Sequence, residues 1–160
     1  MTTPCNRRQF LKQASILATG LAAARGAPAP PAAGSPNERV RVAIIGCNGR
    51  GMNHISGYLA LPNAEITCIC DVDSRAVAKG IAAVTKAGQR EPKGVKDLRR
   101  VLDDPQVDAV SIATPDHWHA PATILACAAG KHVYIEKPGS HNGHESELMV
   151  AAMRCNEISS

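Results

Sequence analysis

An apolar run leads into a glycine-rich turn over Val40-Arg41-Val42-Ala43-Ile44-Ile45-Gly46-Cys47-Asn48-Gly49-Arg50-Gly51, and a helical run continues to Leu61. Gly46 permits a tight turn out of the strand, and Gly51 lets the helix pack closely against it. The amino terminus of that helix offers unpaired backbone N–H groups and a partial positive charge, which suit a pyrophosphate. The order of strand, turn and helix therefore predicts a nucleotide-binding unit.

The turn departs from the pattern G-x-G-x-x-G at its middle position. Asn48 stands there, and Gly49 follows it. Asn tolerates left-handed backbone angles better than most residues do. We therefore expect Asn48, Gly49 and Arg50 to line the pyrophosphate site between the two flanking glycines.

A second apolar run, Ile66-Thr67-Cys68-Ile69-Cys70, ends in Asp71. Asp71 lies twenty residues beyond Gly51. At this spacing a carboxylate at the end of the second strand can bind a ribose 2′-hydroxyl. Because a carboxylate repels a 2′-phosphate, we expect NAD as the cofactor, with NADP less favoured.

Beyond Asp71 the chain alternates helices and strands. The predicted elements are helix 74–87, a short third strand around Val95, helix 97–102, strand 107–113, helix 121–129, strand 132–135 and helix 145–154. This alternation predicts an α/β fold with a doubly wound parallel sheet of the Rossmann type. Ligands of such folds bind at the carboxyl ends of the strands, so residues 46–51, 71, 114–119 and 136–138 should meet in one crevice.

The first 36 residues differ in composition from the rest and contain no acidic residue. The segment Asn6-Arg7-Arg8-Gln9-Phe10-Leu11-Lys12 precedes a mildly apolar run over 14–24 and a Pro/Ala-rich stretch over 26–36. This order is typical of a twin-arginine export signal, lacking only the usual Ser or Thr before the arginine pair. The apolar run is too short and too rich in Ala and Gly for a stable membrane anchor. We assign residues 1–36 to signal and linker and 37–160 to the domain, and expect a periplasmic or extracellular location.

The excess of basic residues belongs to that leading segment. The chain carries a formal net charge of +4, and four of its eighteen Lys and Arg residues lie at positions 7, 8, 12 and 25. All fourteen acidic residues lie at Glu38 or later, so the domain itself is balanced. With one Trp, one Phe and two Tyr there is little to stack bases on. We therefore expect no nucleic-acid partner.

Six cysteines and two histidine clusters raise the question of disulfides or a metal site. The sequence holds no C-x-x-C pair, and Cys68 and Cys70 point to one face of a strand, so buried free thiols are predicted. The clusters His117-Trp118-His119 and His141-Asn142-Gly143-His144-Glu145 match neither H-E-x-x-H nor H-x-x-E-H. We expect no bound metal.

Two further motifs follow later strands: Thr114-Pro115 with His119, and Glu136-Lys137-Pro138. Together with the glycine turn and Asp71, they resemble the glucose-fructose oxidoreductase and inositol dehydrogenase family (Gfo/Idh/MocA) over residues 38–158. The stretch 108–119 is most similar to exported, twin-arginine members that act on carbohydrate-type substrates. The resemblance implies an oxidoreductase that transfers hydride between a nicotinamide cofactor and a sugar or polyol hydroxyl.

The resemblance also implies roles for individual residues. Lys137 would lie beside the nicotinamide, hold the substrate hydroxyl and assist proton transfer as the catalytic residue. Pro115 and His119 would shape the cofactor pocket, and Trp118 would wall its nicotinamide side. The candidate cofactor-binding residues are Gly46, Asn48, Gly49, Arg50, Gly51, Asp71, Thr114, Pro115, Trp118, His119, Glu136 and Lys137.

Members of the family continue into a second domain that covers the substrate. This sequence stops at Ser160, soon after the predicted helix 145–154. We therefore expect a fragment that lacks the C-terminal α/β substrate domain, binds NAD weakly and has little turnover by itself. Two alternatives stay open: a glycosidase that oxidises a sugar transiently with bound NAD, and a nucleotide-binding module without chemistry. A homo-oligomer of a full-length parent is also open.

Overall fold

A parallel sheet organises the part of the chain that the structure, a computed structural model, describes, namely residues 39–156. Its strands are β1 Val40–Ile45, β2 Ala64–Cys70, β3 Lys93–Val95, β4 Ala109–Ile112 and β5 His132–Ile135. The helices are α1 Arg50–Leu59, α2 Ser74–Lys86, α3 Leu98–Leu102, α4 His119–Ala128 and α5 Gly143–Cys155, with a short 3-10 helix at Asp116–Trp118. The predicted export signal and the predicted domain start near residue 37 lie outside the described residues.

The strands follow the order β3-β2-β1-β4-β5, and every adjacent pair is parallel. The chain moves outward from β1 to β2 and β3, then crosses back to β4 and β5 on the other side. This reversal creates a crevice at the carboxyl ends of β1 and β4, where ligands of open α/β sheets bind. The predicted doubly wound parallel fold is confirmed.

Side chains of β1 alternate between the two faces of the sheet and divide the core into two layers. Val42 and Ile44 pack in one cluster with Ile55 of α1. Ala43 and Ile45 pack on the opposite face in a cluster that includes Ala126 of α4. Because both faces of a parallel sheet are covered by helices, its central strands are mostly apolar rather than alternating in polarity.

Several element boundaries differ from the predicted ones. The predicted start of α4 at Pro121 was wrong, since the helix begins at His119. Pro121 fits inside the first helical turn, where backbone N–H groups have no partner within the helix, so its missing N–H costs nothing there. The third strand is confirmed but spans only Lys93–Val95. Before this strand in the chain, the side-chain amide of Gln89 pairs with the backbone of β2. It accepts from Ile66 N and donates to Ala64 O, at 3.1 Å each.

Four of the five cysteines in the described part are buried free thiols, as predicted, namely Cys47, Cys68, Cys70 and Cys127. Burial raises the pKa of Cys68 to about 11 and that of Cys70 to about 12. The prediction was wrong for Cys155, which ends α5 and is exposed.

No helix within residues 39–156 combines the length and apolar character needed to cross a membrane.

Candidate dinucleotide site

The glycine turn after β1 requires glycine at two positions for steric reasons. Gly46 has φ +83°, and a Cβ atom there would lie 2.8 Å from the backbone of Ala113 and Thr114. A Cβ atom on Gly51 would overlap the carbonyl oxygen of Gly46. Gly49 also has a positive φ, of +62°, but it faces open space. The turn therefore brings α1 closer to β1 than any side chain would permit.

The amino terminus of α1 is suited to an anion. Gly49 occupies its N-cap position, no side chain caps the helix, and no acidic residue lies in its first turn. The first N–H groups of the helix thus remain available, and the helix dipole adds a partial positive charge there. These properties fit a pyrophosphate group.

Asp71 follows β2 beside the same turn. Its Oδ2 accepts a hydrogen bond from Cys47 N, and its Oδ1 accepts one from Asp73 N, both at 2.9 Å. Oδ2 also accepts from Cys47 Sγ at 3.6 Å, whereas Oδ1 accepts only from Asp73 N. A carboxylate oxygen has two lone pairs, so Oδ1 keeps capacity for a ligand hydroxyl. Asp71 therefore holds the glycine turn in place and also faces the cavity described next.

A cavity of about 780 Å³ lies at the carboxyl edge of the sheet. Six candidate cofactor residues line it: Gly46, Asn48, Asp71, Thr114, Pro115 and Trp118. Its volume lies in the range typical of small-molecule and cofactor sites. The hydroxyl of Thr114 is buried and has no hydrogen-bond partner within the protein. A polar atom of this kind needs a partner, and a bound nucleotide would supply one. The cavity and the glycine cradle thus fit a dinucleotide.

Trp118 is 48% exposed and belongs to the cavity wall rather than to the core. His119 differs from it, being 2% exposed and not in contact with the cavity. Its Nδ1 lies 2.6 Å from Pro138 O and its Nε2 lies 2.8 Å from Thr114 O. His119 therefore connects the loops after β4 and β5, and it shapes the site indirectly.

Glu136, which follows β5, is held by two basic side chains. Its Oε1 accepts hydrogen bonds from Arg50 Nε at 2.6 Å and from His54 Nε2 at 2.8 Å. These bonds, that from His54 first, lower the pKa of Glu136 to about 2. Glu136 and Arg50 thus pair with each other beside the glycine turn instead of lining the cavity. Lys137 comes next in the chain and is exposed, and none of the ion pairs among residues 39–156 involves it.

The sequence prediction missed two groups of residues near the site. His54 and Ser111 are buried and bonded to each other beneath Glu136. The signals in the sequence were a serine inside the apolar strand β4 and a histidine four residues after Arg50. The residues Val72, Lys96, Asp97 and Leu98 also line the cavity, together with His117, which lies in the predicted crevice segment 114–119. Within the described range no group of three His, Cys, Asp or Glu side chains is arranged to hold a metal ion.

A doubly wound sheet with a glycine turn at its switch point and a carboxylate after the next strand defines a dinucleotide-binding domain. The sequence matches the family described as "Oxidoreductase family, NAD-binding Rossmann fold" (GFO_IDH_MocA) over residues 40–158. The chain belongs to this family. The family's description as NAD-binding confirms the predicted cofactor, NAD.

Proteins similar to this chain carry both dehydrogenase and glycosidase names. The chain is 35% identical to a "Glycosyl hydrolase family 109 protein" of Saccharopolyspora erythraea, over 86% of this chain and 34% of the relative. It is 33% identical to the "Alpha-N-acetylgalactosaminidase" of Shewanella oneidensis, over 83% of this chain and 33% of the relative. The crystal structure of the WlbA dehydrogenase from Bordetella pertussis, in complex with NADH and UDP-GlcNAcA, superposes with a TM-score of 0.68 at 28% identity. That match covers 76% of this chain and 34% of the dehydrogenase, so the chain spans about a third of the length of these relatives.

Proposed function

We propose that this chain forms the NAD-binding half of an enzyme that transfers hydride between the nicotinamide ring and a carbinol carbon of a sugar or polyol. One observation carries the proposal. Asp71 lies after β2, the glycine turn after β1, and Lys137 after β5 of the same sheet edge. With the ribose at Asp71 and the pyrophosphate at the turn, an extended dinucleotide directs its nicotinamide half toward β4 and β5. Carbohydrate names among the relatives support the substrate class.

When bound, the cofactor accepts the hydride that leaves the carbinol carbon. The ammonium group of Lys137 would hold the hydroxyl oxygen of that carbon and stabilise the negative charge that develops on it. Since Lys137 is exposed, water competes for this position until another part of the parent protein covers it. We therefore expect little turnover from the 160-residue chain.

The first test is a fluorescence titration of the purified chain with NADH and NADPH. We expect NADH to bind and NADPH to bind more weakly, because Asp71 repels a 2′-phosphate. Absence of NADH binding would contradict the proposal, and substrate-dependent NADH formation would contradict the expectation of little turnover. In any parent protein that oxidises a sugar, Lys137→Ala should abolish turnover, whereas Lys86→Ala on the last turn of α2 should not. An unchanged rate in Lys137→Ala, with NADH still bound, would favour a module without chemistry.

The glycosidase names among the curated relatives favour a second candidate. In that reaction the cofactor would take a hydride from the sugar and return it after the alcohol has left the glycosidic carbon and water has taken its place, so that no NADH is released. Incubation of the parent protein with a glycoside such as an N-acetylgalactosaminide distinguishes the two. Cleavage with NAD retained supports the glycosidase, and release of NADH with an intact glycosidic bond supports the dehydrogenase.

We also propose that the twin-arginine pathway exports the protein to the periplasm or beyond. The pathway carries folded proteins, which suits a domain that must load its nucleotide in the cytoplasm. A reporter fused after residue 36 should be exported, and the pair Arg7→Lys and Arg8→Lys should retain it in the cytoplasm. Arg25→Lys is the matched control outside the arginine pair. Export of the paired variant would contradict this assignment.

A further inference from the structure

A buried polar chain connects three elements beneath the candidate site. His54 of α1 places Nδ1 2.8 Å from Ser111 Oγ on β4 and Nε2 2.8 Å from Glu136 Oε1 after β5. Ser111 is 0% exposed and His54 is 8% exposed. The same helix begins at the glycine turn and provides the anion site at its amino terminus. The chain of hydrogen bonds therefore joins the pyrophosphate helix to the segment that carries Lys137.

The partners of His54 determine which of its nitrogens carries the proton. Glu136 forms a 2.6 Å ion pair with Arg50, so its carboxylate is ionised and can only accept. His54 Nε2 must then donate to it, and in the neutral ring Nδ1 accepts from the Ser111 hydroxyl. Every nitrogen and the hydroxyl proton are satisfied in this one arrangement.

The order Ser, His, Glu does not make this group a hydrolytic triad. A nucleophilic serine must reach substrate, and Ser111 lies inside the sheet between β1 and β5, fully shielded from solvent. The functionally relevant end of this chain of hydrogen bonds is therefore Glu136, which is next to Lys137 in the sequence.

Arg50 and His54 constrain Glu136 to different degrees. The Arg50 side chain is 60% exposed, whereas that of His54 is 6% exposed. Water screens the pair with Arg50 and competes for its hydrogen bond. Both bonds to the Glu136 carboxylate are charge-assisted, but only the one from His54 is shielded from water, which makes it the stronger of the two. His54 also packs edge-on against Tyr134 of β5, with ring centroids 5.4 Å apart, so it contacts both the strand and the segment that follows it.

We infer that His54 is a positioning residue, which fixes the segment 136–138 relative to α1 and thereby sets Lys137 against the nicotinamide half of the cofactor. This inference rests on the proposed function, because it concerns the same site. It assigns His54 no contact with the cofactor. Its loss should weaken binding of the nicotinamide half and leave the adenosine half unaffected.

Two substitutions of His54 distinguish the effect of its bond to Glu136 from the effect of having any polar side chain at this position. The amide nitrogen of Gln reaches the position of a histidine Nε2 and can still donate to Glu136. The amide of Asn reaches only the position of Nδ1 and can bond Ser111 alone. His54→Gln is thus the rescuing variant and His54→Asn the disrupting one. His132→Gln, at the opposite end of β5 and exposed, is the matched control.

The measurement is the ratio of NADH affinity to ADP affinity for each purified chain, since ADP lacks the nicotinamide riboside. Loss of a charge-assisted hydrogen bond should lower this ratio about tenfold in His54→Asn. His54→Gln and His132→Gln should stay within about twofold of the original chain. If His54→Asn does not fold, Glu136→Ala replaces it, and the same fall in the ratio is expected.

The outcomes distinguish the two claims. An original chain that binds neither NADH nor ADP overturns the proposed function, and the inference falls with it. A chain that binds both, with an equal loss of both affinities or no loss in His54→Asn, overturns the inference alone. A ratio as low in His54→Gln as in His54→Asn overturns the role of the bond to Glu136.

Discussion

The two ends of the carboxyl edge of the sheet are built in different ways. The end at β1 and β2 consists of backbone, with glycines at the turn and an aspartate that accepts backbone N–H groups. The end at β4 and β5 consists of side chains from distant parts of the sequence, with Arg50 and His54 reaching Glu136 more than 80 residues away. The first end is local in sequence and rigid by sterics. The second exists only once three separate elements have assembled.

The largest effect is expected at the backbone end, from Gly51→Ala. The added Cβ would overlap the carbonyl oxygen of Gly46, and backbone at the start of a helix cannot move aside without opening the turn. We expect the free energy of unfolding to fall by about 3 kcal/mol and NADH binding to be lost. Urea denaturation and NADH titration measure these two effects.

Gly57→Ala is the matched control in the same helix. No atom lies within 4 Å of the position of its Cβ, so it should leave NADH binding unchanged and stabilise the chain by up to about 1 kcal/mol. Equal stability of Gly51→Ala and Gly57→Ala would contradict the close contact described for the turn.

Asp71→Ala should have the next largest effect, and it concerns the cofactor. Removing the carboxylate deletes a ribose partner and the repulsion of a 2′-phosphate, so NADH affinity should fall about tenfold and the preference over NADPH should shrink. Asp73→Ala is the control, because Asp73 caps α2 and pairs with the exposed Arg75. That variant should cost about 1 kcal/mol of stability and leave the preference intact. An unaltered NADH preference in Asp71→Ala would contradict the role of Asp71.

This contrast explains what the sequence could predict. The glycine turn, Asp71 and the alternation of elements follow from spacing along the chain, and the structure places them as expected. Thr114, Pro115 and Trp118 were also predictable, because they follow a strand and so reach the carboxyl edge. These features depend on local backbone geometry and on the rule that ligands bind at one edge of the sheet.

The partners of Glu136 could not be predicted in the same way. His54 lies on a helix face and Ser111 in a strand interior, and their pairing depends on how α1 packs across β4 and β5. His119 gave the opposite outcome. Its motif was recognised, but its two ring nitrogens lie within hydrogen-bond distance of Thr114 O and Pro138 O. His119 therefore links two loops, which the motif alone does not reveal.

Ser111→Ala tests the end at β4 and β5 through the free energy of unfolding. It leaves Nδ1 of the buried His54 without a partner, and the free energy of unfolding should fall by about 1–2 kcal/mol. Thr123→Val is the matched control, since the Thr123 hydroxyl is equally buried but has no hydrogen-bond partner. It should be neutral or stabilising. Chemical denaturation of both variants checks the difference, and an equal loss in the two would show that the Ser111 bond contributes nothing.

The smallest effect is expected only at acidic pH. It compares one carboxylate from each end of the sheet edge. Asp97 follows β3 and lines the cavity, and Glu136 follows β5. Each has a pKa lowered to about 2, Asp97 by Arg99 and Glu136 by His54 and Arg50. A carboxyl group with a depressed pKa stabilises the folded chain above its ordinary value, which is 4.5 for Glu136. That contribution is lost as the pH falls toward about 2.

Which carboxylate contributes more to the stability of the folded chain depends on how near its partners lie in the sequence. Arg99 is two residues from Asp97, so part of that contact persists in the unfolded chain and cancels from the stability. The partners of Glu136 meet it only in the folded state. Glu136→Gln should therefore flatten the decline in urea midpoint between pH 5 and pH 3 more than Asp97→Asn does. An equal or smaller flattening in Glu136→Gln would mean that the side-chain end contributes no more to folding than a local helix cap.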